Sequence, residues 1–182
     1  MQFVETLGTL VKRLKFIDES GAHLGLTRLF GRAAPGQRIV EATPGYSGPH
    51  YTLVATLAWK EVTAPWIFEG AMNPVAFEAS VRSQLLPTLR RGDIVVLDNL
   101  SAHTGETIRQ LIEARGARVQ FLPAYSSDFN PIELCWSKIK TALRAAQART
   151  LAALIEALAQ ALRSISLPDI QIWFAHCGYA LS

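Results

Sequence analysis

The sequence has few cysteines, few histidines and no long hydrophobic run. Two Cys and four His occur among 182 residues, and Cys135 and Cys177 form neither a CxxC pair nor a Cys/His cluster. We therefore expect no disulfide framework and no zinc site, only two packing thiols in a reducing, cytoplasmic protein. No apolar run approaches the roughly 18 to 20 residues that span a bilayer, and no basic residue precedes an apolar stretch as in an export signal. No membrane partner is expected.

Internal repeats, low-complexity tracts and Pro/Ser-rich linkers are also missing, so nothing divides the chain. Its length and its 49% hydrophobic content are sufficient for one core and small for two. We expect residues 1–182 to form a single domain. The 18 basic and 15 acidic residues leave a net charge of +3, which permits a polyanionic partner without requiring one.

The order of sequence patterns predicts an α/β fold with a mixed sheet. Strand-like patterns in the first half cover residues 13–18, 51–59 and 64–68. Two short apolar strands follow at 93–97 and 119–122, and helical patterns cover 75–86, 104–115, 131–144 and 150–163. Three antiparallel strands followed by parallel strands and helices predict a five-stranded mixed sheet that is flanked by helices.

Three acidic residues fall at the ends of these predicted elements. Asp18 closes the first strand, Asp98 follows the buried strand DIVVL, and Glu133 lies in the first turn of the helix that Pro131 begins. Adjacent strands lie about 4.8 Å apart, so aspartates at the ends of two parallel strands can meet. Oxygen ligands without Cys or His favour Mg²⁺ or Mn²⁺, and two such ions promote displacement at phosphorus, with Asp98 as the bridging ligand. Taken singly, each acid is more commonly a cap or turn residue.

The segments around these acids resemble the catalytic domain of DDE transposases. They read FIDES at 16–20, VVLDNLSAH at 95–103 and LPAYSSDFNPIE at 122–133. The similarity is closest to the bacterial insertion-sequence branch of the mariner superfamily, because 34 residues separate Asp98 from Glu133 and residues 125–133 resemble its YSPDLNPIE signature. Ser127 replaces the usual Pro and Phe129 the usual Leu, and neither change removes an acid.

This resemblance implies an RNase H-like, retroviral-integrase-like fold with Asp18, Asp98 and Glu133 as catalytic residues and as ligands of two Mg²⁺ or Mn²⁺ ions. It implies cleavage of transposon-end DNA and transfer of the exposed 3′ hydroxyl to TA-containing target DNA. The expected partner is double-stranded DNA, bound by a homodimer in the bacterial cytoplasm and nucleoid. Relatives also carry an N-terminal helix-turn-helix domain, which we expect to be absent from this chain; an upstream reading frame is one source of it.

Two other functions remain open from the sequence. A truncated or domesticated transposase would bind DNA or another partner without catalysis. A stand-alone RNase H-like nuclease would use the same three acids without transposition.

Neighbouring residues are weaker candidates. Glu19, on the opposite side of an extended chain, is a solvated residue or supports Asp18. Asn99 and His103 flank the second acid, where His103 either orients a phosphate or water or only caps and packs. Asn130 is expected to be the N-cap ahead of Pro131. Six basic residues are candidate DNA contacts, with a solvated helix face as the alternative for the last three: Arg28, Arg32, Arg38, Lys138, Lys140 and Arg144.

Overall fold

The computed structural model, which describes residues 2–45, 48–98 and 105–179, is built around a five-stranded sheet in the order β3-β2-β1-β4-β5. The strands are β1 Leu14–His23, β2 His50–Ala58, β3 Glu61–Glu69, β4 Ile94–Leu97 and β5 Arg118–Phe121. β1 to β3 pair antiparallel, and β4 and β5 run parallel to β1. The predicted mixed sheet and its flanking helices are confirmed.

Six α-helices accompany the sheet within the described residues. They are α1 Gln2–Gly8, α2 Pro74–Ser80, α3 Glu106–Glu113, α4 Ile132–Ala146, α5 Leu151–Arg163 and α6 Leu167–His176. The sequence patterns predicted neither α1 nor α6. α6 begins with a capping box in which Ser166 and Asp169 each accept a backbone N–H of the other, a signal that the sequence does carry.

The helix predicted over 75–86 is α-helical only as far as Ser80. A π-helical turn at Val81–Leu85 and a 3-10 turn at Leu86–Thr88 continue it. Pro87 has no N–H, and its ring crowds the preceding turn, so regular α-helical hydrogen bonding cannot run through this segment. Phe77, Val81 and Leu85 nevertheless stay buried on one stripe.

The two faces of the sheet bury different side chains of the same strand. Leu14 and Phe16 of β1 belong to one core cluster, together with apolar residues of α4, α5 and α6. Ile17 belongs to a second cluster, together with residues of α2 and α3. β4 alternates in the same way, because Ile94 and Val96 belong to the first cluster and Val95 and Leu97 to the second. This period of two decides which face each neighbouring polar residue takes.

Both cysteines are free and buried, as expected of packing residues. No single helix in the described parts of the chain is long and apolar enough to cross a membrane; α5 and α6 meet that test only as a pair bent by 79°.

The buried ring of Tyr179 ties the end of the described chain to the segment before α4. It packs 5.3 Å from the Phe16 ring centroid, and its hydroxyl donates a 2.9 Å hydrogen bond to the Phe129 carbonyl. Tyr179→Phe keeps the ring and removes this bond, so the free energy of unfolding should fall by about 1 kcal/mol. Urea denaturation measures the change. Tyr125→Phe is the control because Tyr125 is fully exposed; equal midpoints for wild type and Tyr179→Phe would contradict the expectation.

Candidate active site

The parallel register of β1 and β4 brings Asp18 and Asp98 to the same level of the sheet. Phe16 pairs with Val96, and each aspartate lies two residues further along its strand direction. The alternation of side chains therefore directs both toward the face covered by α4. The expectation that Asp18 closes the first strand is wrong: β1 continues to His23 because its pairing with β2 extends five residues further. Asp18 thus lies inside the central strand.

Glu133 reaches the same region from the first turn of α4. A 3-10 turn, Ser127–Phe129, precedes the helix, and the Glu133 N–H donates to the Asn130 carbonyl at 3.1 Å. The expectation that the Asn130 side chain caps the helix is wrong. Pro131 takes the position before the helix, and no side chain of the described residues caps it. The buried Asn130 amide instead donates a 3.2 Å hydrogen bond to Asp18 Oδ2.

Asp18 is held as a buried carboxyl among other acids. Its side chain accepts the Glu19 backbone N–H at 2.8 Å on Oδ1 and the Asn130 amide on Oδ2. Burial raises the pKa of Asp18 to about 8, and the charge of Glu133 and, more weakly, those of Glu19 and Asp98 act in the same direction. Because the pKa responds to both Glu133 and Asp98, the three carboxyl groups share one electrostatic environment.

An open cavity adjoins two of the acids. Asp98, Glu133, Asn130 and the segment 122–127 line a space of about 400 Å³. Asp98 is half-buried and Glu133 exposed, whereas Asp18 is buried and does not line the cavity. Tyr125 projects fully exposed from this segment with a backbone φ of 56°, a left-handed conformation uncommon for a tyrosine. Such strain at a cavity wall is common in functional sites.

The donor set fits hard divalent cations in chemistry and charge. Every candidate ligand is a carboxylate, and the raised pKa of Asp18 indicates that its negative charge lacks a neutralising partner. The side chains are not yet gathered as a ready cage: among the described residues, no group of three or more His, Cys, Asp or Glu side chains is close enough to hold a metal ion. The ligand assignment of Asp18, Asp98 and Glu133 therefore stays a prediction.

The weaker candidates are placed as follows. Glu19 is half-buried on β1 opposite Val54, and side-chain alternation directs it to the face away from Asp18. Asn99 and His103 lie outside the described residues. Arg28, Arg32 and Arg38 are exposed between β1 and β2, outside helices and strands.

The three basic candidates on α4 differ in their surroundings. Lys138 is engaged within the fold, because its ammonium donates to Asp169 at 2.7 Å and to the Ser164 carbonyl at 3.1 Å. Lys140 and Arg144 are half-buried. Arg144 lies near the end of β1, where burial, His50 and Arg144 lower the pKa of His23.

Sequence reasoning missed the contact between Asn130 and Asp18. The two residues are 112 positions apart, and Asn before Pro is so common at helix starts that it carries no sign of a second partner. Only the packing of α4 against β1 brings the amide to the carboxyl. Asn130 thus connects the first acid to the helix that carries the third.

Removing the Asp18 charge should flatten the pH dependence of stability. Without metal, the folded carboxyl holds its proton up to a pKa of about 8, whereas the unfolded one ionises near 3.8. The folded state therefore binds more protons between these values, so stability is greatest at low pH and falls as pH rises through this window. Urea denaturation in EDTA at pH 5 and pH 8 should show a smaller loss for Asp18→Asn than for wild type. An unchanged loss would disprove the shift.

The Asn130–Asp18 hydrogen bond should couple the two residues energetically. Asn130→Ala leaves the buried Asp18 Oδ2 without its donor and should lower the free energy of unfolding by about 1–3 kcal/mol. A double-mutant cycle with Asp18→Ala isolates the contact, and a coupling of about 0.5 kcal/mol or more is expected. Strictly additive effects would show that the bond contributes nothing.

Comparison with known structures and families identifies the fold. A Mos1 transposase paired-end complex with the left transposon end superposes with a TM-score of 0.71 at 17% identity, over 96% of this chain and 56% of that one. The Mos1 Strand Transfer Complex gives 0.70 at 18% identity, over 97% and 56%. The catalytic domain of Mos1 mariner transposase gives 0.64 at 14% identity, over 97% and 82%. At such identities the likeness shows an RNase H-like fold.

The chain spans only 56% of the Mos1 chains in those two complexes, and no curated protein sequence matches it. A family model described as DDE superfamily endonuclease matches residues 13–155. The match covers every strand and both segments that carry Asp98 and Glu133. This chain belongs to the DDE superfamily endonuclease family.

Proposed function

We propose that this chain is the catalytic domain of a transposase, of the bacterial insertion-sequence branch of the mariner superfamily. It cleaves transposon-end DNA and joins the exposed 3′ hydroxyl to target DNA. The observation that carries the proposal is that the charges of Glu133 and Asp98 both raise the pKa of the buried Asp18, and that Asp98 and Glu133 line an open cavity. The family membership and the segments around the acids support it.

Asp18, Asp98 and Glu133 would hold two Mg²⁺ or Mn²⁺ ions. Mos1 paired-end complexes have been solved with Mg and with Mn, which supports the choice of cation. When bound, the ions would supply the Lewis-acid chemistry that in-line displacement at phosphorus requires. The exposed Glu133 and the half-buried Asp98 line the cavity, where a cation can reach them from solvent.

The chain's own residues position the ligands and set their charge. Asp18 must lose its proton before it can bind a cation, and the Glu19 N–H already favours the ionised form. The Asn130 amide orients Asp18 Oδ2 and fixes the first acid relative to α4. Because Glu133 lies on the first turn of that helix, the amide also fixes the spacing between the first and third ligands.

The open cavity and the exposed arginines of the segment after β1 support DNA as the partner. The cavity is open to solvent on the side of Tyr125, and the exposed Arg28, Arg32 and Arg38 belong to the segment that leaves β1 beyond Asp18. Arginines of this kind contact phosphates without reading sequence. We propose that the active form is a homodimer that acts on transposon ends and on TA-containing target DNA.

Asp98→Asn should abolish DNA cleavage. The change keeps the shape of the side chain and removes one negative charge from the proposed metal site. With supercoiled plasmid in Mg²⁺ or Mn²⁺, wild type should nick the DNA, and Asp98→Asn should fall to the protein-free level. Glu156→Gln is the matched control, because this exposed acid lies on α5 away from the three acids; it should nick at the wild-type rate.

Joining of a labelled duplex to the plasmid separates this proposal from its rivals. Nicking without joined product would indicate a stand-alone nuclease. DNA binding without nicking by wild type would indicate a binding module. Either result contradicts the transposase proposal.

A further inference from the structure

A second charged surface lies at the opposite end of the sheet from the three acids. There β1, β4 and β5 begin, and β2 turns into β3. Seven exposed basic residues come from these four segments and are called here the basic edge: Lys12, Arg13, Lys60, Arg90, Arg91, Arg115 and Arg118. No acid of the candidate active site belongs to this end, because strand direction places Asp18 and Asp98 at the other.

Backbone packing makes the basic edge one continuous surface. The Gly92 N–H donates a 2.8 Å hydrogen bond to the Gly116 carbonyl. Arg13 lies over Gly92, with its guanidinium 2.9 Å from where a Cβ would be, and Arg91 lies over Gly116, with its Cγ at 3.0 Å from the corresponding point. Both glycines have positive φ, 87° and 72°, so a side chain at either would be strained as well as crowded.

Two cavities open side by side on this edge. One, of about 510 Å³, is lined by Lys12, Lys60 and Arg90, and the other, of about 350 Å³, by Arg13 and Arg118; Asp93 lines both. The basic residues thus border two adjacent depressions rather than isolated points. An extended ligand with repeated negative charges matches that arrangement.

The positive charge of the basic edge is not neutralised by the fold. In the part of the chain that the structure describes, none of its seven residues forms an ion pair. Asp93 is buried, where it lies 3.6 Å from the Lys15 ammonium and accepts the Arg90 backbone N–H at 2.8 Å. Glu113 pairs with Arg109. The exposed Glu61 is the one further acid in these cavity walls.

Three other exposed arginines have acidic partners. Arg82 pairs with Glu78 at 2.7 Å, Arg163 with Glu156 at 3.2 Å, and Arg109 with Glu113 at 3.9 Å. These three provide an internal comparison, because they have the same side chain and exposure but already have an acidic partner.

We propose that the basic edge binds the phosphate backbone of a DNA segment other than the one at the acidic site. Arg13 lies immediately before β1 and precedes Asp18 by five residues, so the two surfaces are about 17 Å apart along the strand direction. Arginine and lysine contacts to phosphates hold a duplex without reading its sequence. The proposal takes DNA as the partner class from the proposed function, but the binding does not depend on cleavage.

The surface favours nucleic acid over a protein partner. The centres of protein interfaces are depleted in charge and enriched in aromatic anchors. Every exposed large hydrophobic residue of the described chain lies elsewhere: Leu29, Phe30, Ile39, Val40, Val75, Tyr125, Leu151, Ile155, Leu167 and Ile172. The basic edge thus offers charge without an exposed apolar anchor.

The test measures the salt dependence of duplex binding in an Asp98→Asn background with EDTA, so that cleavage plays no part. A labelled random-sequence duplex is titrated at several salt concentrations with the edge triple Arg13→Gln, Arg91→Gln and Arg118→Gln. Each lost phosphate contact should reduce the slope of log K against log salt by about 0.9, or about 2.7 for three. The matched control is Arg82→Gln, Arg109→Gln and Arg163→Gln, whose slope should equal that of the parent.

Additional variants and a second ligand distinguish the remaining outcomes. Replacing the same three edge residues by Lys should retain the slope, because a point charge suffices for phosphate; circular dichroism shows whether each variant is folded. An unchanged slope in the edge triple, or equal losses in both triples, would overturn the proposal. Edge-dependent binding of polyglutamate without binding of the duplex would assign the edge to an acidic protein instead.

The two proposals fail separately. If wild type never nicks plasmid but the edge triple loses slope, the transposase proposal falls and the basic edge stands. If wild type nicks plasmid and the edge triple keeps its slope, the basic-edge proposal falls and the transposase proposal is not affected.

Discussion

The arrangement of the site depends on one buried carboxyl group. Asp18 lies in the central strand of the sheet, where a charged side chain is costly unless it is paired or hydrogen-bonded. Two donors reach it, the N–H of Glu19 and the amide of Asn130. Neither carries a positive charge, so the pKa stays high, at about 8. A position that only a proton or a cation can neutralise is a poor choice for stability and a suitable one for binding a metal.

The same carboxyl helps to fix the segment that leads into α4. The helix contributes Ile132, Trp136 and Ile139 to the core cluster around Phe16, and that apolar packing supplies most of its attachment. Asn130 orients the start of the helix, because its amide donates a hydrogen bond to Asp18 two residues before α4 begins. Tyr179 holds the adjoining Phe129 carbonyl from the other side. Together these two hydrogen bonds hold the segment 127–131 in place. The segment leads directly into α4, so it also sets the position of Glu133 on the first turn of that helix.

Local patterns revealed the elements, whereas the long-range contacts depended on the fold. Alternation and apolar runs predicted all five strands, because each strand buries side chains that its own sequence displays. The end of β1 was misplaced because Asp18 and Glu19 interrupt the apolar run, although β2 pairs with that strand to His23. The hydrogen bond from Asn130 to Asp18 could not be predicted, because Asn before Pro is already explained by the usual helix N-cap. α6 was missed despite its Ser166–Asp169 capping box.

The basic edge shows a different limit of sequence reading. Its seven residues come from four short segments, none of which is a basic run, so the net charge of +3 conceals them. Sheet topology gathers them because parallel strands begin at one end and finish at the other. Acids and bases are thereby separated by about half the length of β1, about 17 Å from Arg13 to Asp18. The Debye length at physiological salt is about 8 Å, so the acidic site scarcely weakens the attraction of the basic edge for a polyanion. One small sheet can therefore carry acidic charge at one end and basic charge at the other without either surface neutralising the other.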